Sequence, residues 1–205
     1  MGISTEIVQQ IRVGISTQSV ERNTVKRIAF ADRSFLVPFG VFNPVKHQSG
    51  ALVADYLQRN ANDFAGTRVL EIGTGSGLLA AVLHDAGATV VATDISRLAV
   101  EAARGNLAGT NVDVRLGDLF DPVAGERFDI IVSNPPYEVG SSLRPRYRSA
   151  DLLERLAATW REYGDQLVLA FPTDAADQLE QLGFTLTLSE RLRSTGRELG
   201  IYRSA

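Results

Sequence analysis

Beyond residue 67 the hydrophobic positions follow two alternating patterns: short unbroken apolar runs, and stretches in which apolar residues recur every three or four positions. The unbroken runs are residues 67–72 (TRVLEI), 88–93 (ATVVAT), 112–116, 128–133 (FDIIVS) and 166–171 (QLVLAF), each of which predicts a strand buried on both faces. The helical stretches between them cover residues 78–85, stopped by Gly87, and a segment opened by Ser96 as N-cap and ending near Gly109. Further on, residues 151–163 place Leu152, Leu153, Leu156, Ala157 and Trp160 on one face, and residues 173–183 predict a last helix. Residues 184–192 and 198–202 then read as an antiparallel hairpin around Ser194-Thr195-Gly196. Strands separated by helices of this length predict an α/β fold with a doubly wound, mostly parallel sheet, here of seven strands ending in that hairpin.

The chain before this repeat reads differently. Ile3, Ile7, Val8 and Ile11 have helical spacing, residues 25–37 suggest two strands around Ala31-Asp32-Arg33-Ser34, and residues 49–57 suggest a short helix. Residues 1–45 are too few to carry a core of their own, so they are expected to pack as an N-terminal extension on a main domain of residues 46–205.

Ligands of such sheets bind beyond the carboxyl ends of the strands, so the residues following each run carry the chemistry. After the first run, Glu71-Ile72-Gly73-Thr74-Gly75-Ser76-Gly77 supplies three glycines, which permit a tight turn and let a ligand lie against backbone N–H groups at a helix N-terminus. Such a turn also forms with no ligand present; the discriminating residue is Asp94. It lies 21 residues beyond Gly73, the reach of a carboxylate that accepts both ribose hydroxyls. A dinucleotide register, Gly75-Ser76-Gly77-Leu78-Leu79-Ala80, starts too late after the strand, and the register from Gly73 puts Leu78 where the third glycine belongs.

The fourth run ends in Asn134-Pro135-Pro136-Tyr137, which with Ile131-Val132-Ser133 resembles the NPPY motif of class I S-adenosylmethionine-dependent N-methyltransferases. The stretch from Val69 to Tyr137 (VLEIGTGSG, ATDIS, GDLF, FDIIVSNPPY) is similar to that superfamily, in the branch of the HemK-type glutamine methyltransferases. The resemblance implies a Rossmann-like methyltransferase fold, S-adenosylmethionine as methyl donor, S-adenosylhomocysteine as product, and no metal. It implies cofactor binding by Glu71, Gly73, Gly75, Gly77, Asp94, Ile95, Asp118, Leu119 and Asn134, with Asp118 on the adenine amino group and Glu71 on the methionine amino group. Residues 39–44 and 47–49 resemble the segment that closes over the cofactor. Asn134, Pro135 and Tyr137 would present the methyl acceptor: the Asn134 side-chain oxygen and Pro135 carbonyl accept from the N–H groups of an amide or amine, holding its nitrogen in line. Two prolines stiffen that loop, and Tyr137 offers an aromatic face.

The acceptor itself is less defined. A protein glutamine amide comes first by resemblance, but the short extension replaces the larger N-terminal helical domain of the release-factor enzymes. The segment after the motif is short and basic, with Pro136, Glu138, Arg144, Arg146 and Arg148 as candidate substrate contacts. Guanidinium groups there suit a carboxylate or phosphate, or serve only to solvate a loop, so a small molecule bearing an amine and an acid is the runner-up. An RNA base comes third, because Arg191, Arg193 and Arg197 are not accompanied by aromatic residues.

Composition fits this picture. Of the 205 residues 44% are apolar and 22% charged, and the net charge of -3 does not suggest a surface wholly committed to nucleic acid. With no cysteine, thiolate chemistry is excluded, and the two histidines, His47 and His84, are not spaced as metal ligands. His47 reads as structural rather than as a base. No run reaches the roughly 18 apolar residues of a membrane span, so the expected address is the cytoplasm, with no membrane partner and the oligomeric state open.

Overall fold

A computed structural model describes residues 24–136 and 149–204. The helix expected around Ile3 to Ile11, and Tyr137, Glu138, Arg144, Arg146 and Arg148, lie outside the described residues. An antiparallel hairpin, β1 (Val25–Phe30) and β2 (Arg33–Pro38), leads to helix α1 (Ser49–Arg59). The chain then runs β3 (Arg68–Ile72), α2 (Leu78–Asp85), β4 (Thr89–Asp94), α3 (Arg97–Asn106) and β5 (Asp113–Leu116). It continues through β6 (Phe128–Ser133), α4 (Ser149–Thr159), β7 (Gly164–Pro172), α5 (Ala176–Gln181), β8 (Phe184–Arg191) and β9 (Glu198–Ser204).

The last seven strands form one sheet in the order β5-β4-β3-β6-β7-β9-β8. Its pairs are parallel as far as β7, and β9 then runs antiparallel to both neighbours, so only β9 opposes the common direction. The chain leaves β3 toward β4 and β5, then returns to the other side of β3 with β6. That reversal opens a crevice at the carboxyl ends of β3 and β6, where doubly wound sheets take their ligands.

Alternating strand residues feed two cores. Val69, Val90, Ala92, Ile130, Val132 and Val168 pack with α1, α2 and α3, while Leu70, Ile72, Val91, Ile131, Leu167 and Leu169 pack with Leu153, Leu156 and Trp160. This two-sided burial is why the runs are apolar without alternation. The β1–β2 hairpin joins the first core through Ile28, Phe35 and Val37. Asn106, at the end of α3, ties it to the turn after β3: its side chain accepts from Leu36 N (2.8 Å) and donates to Leu36 O and Ser76 O (both 2.9 Å).

Some local expectations are corrected. Ser96 stands at the N-cap of α3 but makes no side-chain cap; its own N–H instead donates to Asp94 Oδ1 at 2.8 Å. The helix expected over 173–183 begins as a 3-10 turn (Thr173–Ala175), and α4 likewise passes into one at Trp160–Glu162. Among the described residues no helix is long and apolar enough to cross a membrane.

Candidate functional site

The crevice is a cleft of about 750 Å³, within the usual range for small-molecule sites. Its floor is the turn after β3. Gly73, Gly75 and Gly77 all have positive φ (82°, 56° and 84°), which other L residues adopt at a cost. Space is open where side chains at Gly73 and Gly75 would stand, whereas a Cβ on Gly77 would press on Leu107 and Ala103 of α3. Two glycines thus keep the floor bare and the third lets a helix approach. The N–H groups of Gly73 and Thr74 donate to Thr93 O at 2.8 and 3.0 Å, tying the turn to β4.

Asp94 ends β4. Its Oδ2 accepts from Gly75 N at 2.9 Å and its Oδ1 from Ser96 N, so both carboxylate oxygens are held in place by backbone donors. Ile95 beside it is partly exposed into the cleft. Asp118 follows β5 and pairs with Arg155 of α4 at 2.8 Å. Leu119, the next residue, takes φ of 45° and lines the same wall. The sequence-predicted cofactor residues Glu71, Gly73, Gly75, Asp94, Ile95, Asp118, Leu119 and Asn134 all line this cleft; Gly77 stands behind it.

Five buried side-chain polar atoms have no hydrogen-bond partner among the described residues, and three of them belong to residues lining this cleft: Glu71 Oε1, Ser76 Oγ and Asn134 Oδ1. Unpaired buried polar atoms are costly, and their grouping in one cavity marks places kept for a ligand. Glu71 is buried, its Oε2 accepts from the Thr74 hydroxyl at 2.7 Å, and loss of hydration pushes its pKa up to about 7, with Asp94 adding repulsion and the Thr74 hydroxyl and the backbone N–H of Ala80 opposing the rise. An ammonium or other N–H donor at the bare oxygen restores the charge that burial disfavours.

Asn134 ends β6, where the Ser133 hydroxyl donates to Ile72 O at 3.0 Å and fixes the strand end. The Asn134 amide nitrogen faces Ser49 Oγ at 3.5 Å, which leaves Oδ1 as the bare acceptor. Pro135 is buried and Pro136 exposed. Residues 38–44, 46, 47, 49, 50 and 195, the roof, complete the lining together with Leu152 and Leu156 of α4. His47 lines this roof with its ring stacked on Phe42, while His84 lies on α2 away from the cleft. Sequence reasoning gave no role to Ser76, Thr74 or Arg155. Ser76 and Thr74 were legible only as spacers between glycines, and no sequence signal pairs Arg155 with Asp118. Among the described residues no three His, Asp or Glu side chains are grouped as a metal site requires.

A family model described as the methyltransferase small domain matches residues 33–182. The release factor glutamine methyltransferase of Geobacter sulfurreducens is 35% identical over 152 residues, covering 72% of this chain and 49% of that protein. The ribosomal RNA small subunit methyltransferase C of Chromohalobacter salexigens is 36% identical over 133 residues, covering 63% and 39%. The chain thus spans less than half the length of these curated relatives. Among solved structures, the ribosomal protein L11 methylase of Lactobacillus delbrueckii subsp. bulgaricus is 26% identical with a TM-score of 0.55, covering 74% of this chain and 78% of that one. The T. thermophilus 16S rRNA N2 G1207 methyltransferase, solved with AdoMet and guanosine, shares the fold at 19% identity and a TM-score of 0.62, covering 88% and 50%.

Proposed function

The chain belongs to the methyltransferase small domain family, and on that premise we propose that it transfers a methyl group from S-adenosylmethionine to an amide or exocyclic amine nitrogen, releasing S-adenosylhomocysteine. The observation that carries the reading is the grouping of bare buried acceptors, Glu71 Oε1 and Asn134 Oδ1, with Ser76 Oγ in a cleft whose glycine floor stands open. The residues fit the donor: Glu71 suits its ammonium, Gly73 and Gly75 its close approach to the backbone, Asp94 its ribose, and Ile95 and Leu119 the faces of its adenine. When bound, the donor supplies a methyl group on a sulfonium centre, already activated for attack.

The chain's task is therefore to bind, orient and desolvate. A nitrogen with a delocalised lone pair is a poor nucleophile, and Asn134 Oδ1 helps by accepting one of its N–H groups, which favours the positive charge that develops on attack. Pro135 lacks an N–H and offers its carbonyl as a second acceptor, and the two prolines limit the loop's motion. Pro136 is exposed and lines the cleft, which supports reading it as a substrate contact. Tyr137 and Glu138, with Arg144, Arg146 and Arg148, remain candidates for the substrate side. Packing of the hairpin residues Phe35 and Val37 in the core supports reading residues 1–45 as an extension of a methyltransferase domain of residues 46–205.

The test is incubation of the pure protein with methyl-labelled S-adenosylmethionine and an extract of its host cells, followed by separation into protein, RNA and small-molecule fractions. Label on a nitrogen supports the reading. Label on oxygen or carbon, or none in any fraction, overturns it.

A further inference from the structure

We infer that Ser49 is a positioning residue for methyl transfer: its hydroxyl holds the nitrogen end of the Asn134 amide, so that Oδ1 is the end presented to the methyl acceptor. The inference rests on the methyltransferase reading and deepens it, because the motif around Asn134 carries no sign of a residue 85 positions earlier in the chain.

The two ends of an asparagine side chain are nearly the same shape and opposite in hydrogen bonding: Oδ1 accepts and Nδ2 donates. A nitrogen that is to be methylated brings N–H donors, so an amide turned by half a rotation would set donor against donor and lose the contact on which the attack depends. The ladder of β6 and the two prolines fix the main chain of Asn134 but not this last, broad torsion. Among the described residues Ser49 Oγ is the one hydrogen-bond partner of the Asn134 side chain, and Asn134 is the one partner of that hydroxyl. A hydroxyl both donates and accepts, so taken alone it satisfies either end of the amide. Once a substrate N–H stands on the other side, a single arrangement pairs every group: substrate N–H on Oδ1, and Nδ2 on Ser49 Oγ.

The place of that hydroxyl is tightly determined. Ser49 is the first residue of α1 and fully buried, yet its hydroxyl caps no N–H of the helix. Gln48 before it takes φ of 63°, a left-handed conformation that is costly for a residue with a Cβ. The Ser49 N–H donates to His47 O at 2.8 Å, the Gln48 side chain accepts from Ser194 N at 2.8 Å, and Gly50 after it meets Pro44 with no room for a Cβ. Backbone strain held by its neighbours on both sides of one buried hydroxyl is the support that a positioned group requires. The Nδ2 to Oγ distance of 3.5 Å is at the long limit for such a bond, and contacts of this kind tighten in the Michaelis complex.

The experiment uses the full chain, methyl-labelled S-adenosylmethionine and an extract of host cells as the source of methyl acceptor. Initial rates of label transfer at saturating extract, less the extract's own background, are compared for the wild type, Ser49→Ala, Asn134→Ala and the double variant. Ser49→Ala should lower the rate about 10-fold, the scale of one hydrogen bond, and leave the S-adenosylmethionine concentration at half-maximal rate within about 2-fold of wild type. In the Asn134→Ala background the same change should cost less than about 2-fold, because no amide is left to orient. A Ser49→Ala rate equal to wild type overturns the inference. So does a loss repeated in full on top of Asn134→Ala, which is the mark of a merely structural serine. Calorimetry of S-adenosylhomocysteine with the wild-type chain separates the two readings: product bound and label transferred, with Ser49→Ala unimpaired, sinks the role of Ser49 alone, whereas no product bound sinks the methyltransferase reading and the inference with it.

Discussion

Glu71 is the residue whose protonation the fold changes most, and the sign of the change has two consequences. Its carboxyl titrates near 7 when folded, because burial strips its water, and near 4.5 when exposed. Below 4.5 both states are protonated and there is no effect. As pH rises from 4.5 to 7 the unfolded chain ionises first, so stability falls, by about 3 kcal/mol at most. Glu71→Gln is expected to remove that slope, as measured by urea unfolding between pH 5 and 8. Binding has the opposite sign: holding an ammonium needs the ionised form, so calorimetric affinity for S-adenosylmethionine should rise with pH up to about 7 and fall again above about 8, where the donor's own α-amino group loses its proton, and the Gln variant should be weaker and lack the rise. Asn134 offers a different separation. Asn134→Ala should leave donor affinity nearly unchanged and slow methyl transfer by about 100-fold or more, the scale of one lost preorganised contact, and normal turnover would refute its role.

At the scale of elements, the start of α1 controls the roof of the site. A Cβ on Gly50 would lie 2.2 Å from Pro44 Cβ and 2.8 Å from its Cα, so Gly50→Ala must push α1 away from the loop before it. We expect a cost of about 1–3 kcal/mol, read as a lower melting temperature. On β9, Tyr202 is fully buried with a hydroxyl that has no partner among the described residues. Tyr202→Phe should therefore match or exceed the wild-type melting temperature; a clear loss would reveal an unrecognised partner. The strands were legible because burial on both faces writes an unbroken apolar run, and the floor because glycine, aspartate and asparagine follow those runs at fixed offsets. The ends of elements were not. Ser96 had the chemistry of a cap but its side chain accepts no helix N–H, and the contact made there is its own N–H on Asp94; the last helix yields its first turn to a 3-10 geometry. Contacts between distant residues, such as Asn106 on Leu36 or Arg155 on Asp118, leave no periodic trace in the chain.

The molecule as a whole closes its site with a contact between residues far apart in sequence. The turn between β8 and β9 reaches His47 and Gln48 through Ser194, joining a late hairpin to the loop that leads into α1. Gln48→Ala removes one acceptor of that clamp. Hydrogen exchange is expected to quicken in both residues 43–49 and 192–197, and a change confined to one segment would show that the clamp does not couple them. The position of β9 has a consequence for synthesis. It lies between β7 and β8 yet is translated after both, so order in space and order of manufacture disagree. A nascent chain halted after β8 carries the glycine floor and Asn134 but has nothing to bridge β7 to β8, and β7 keeps an open edge. Premature termination there should release fragments that proteases and chaperones can distinguish from the finished protein.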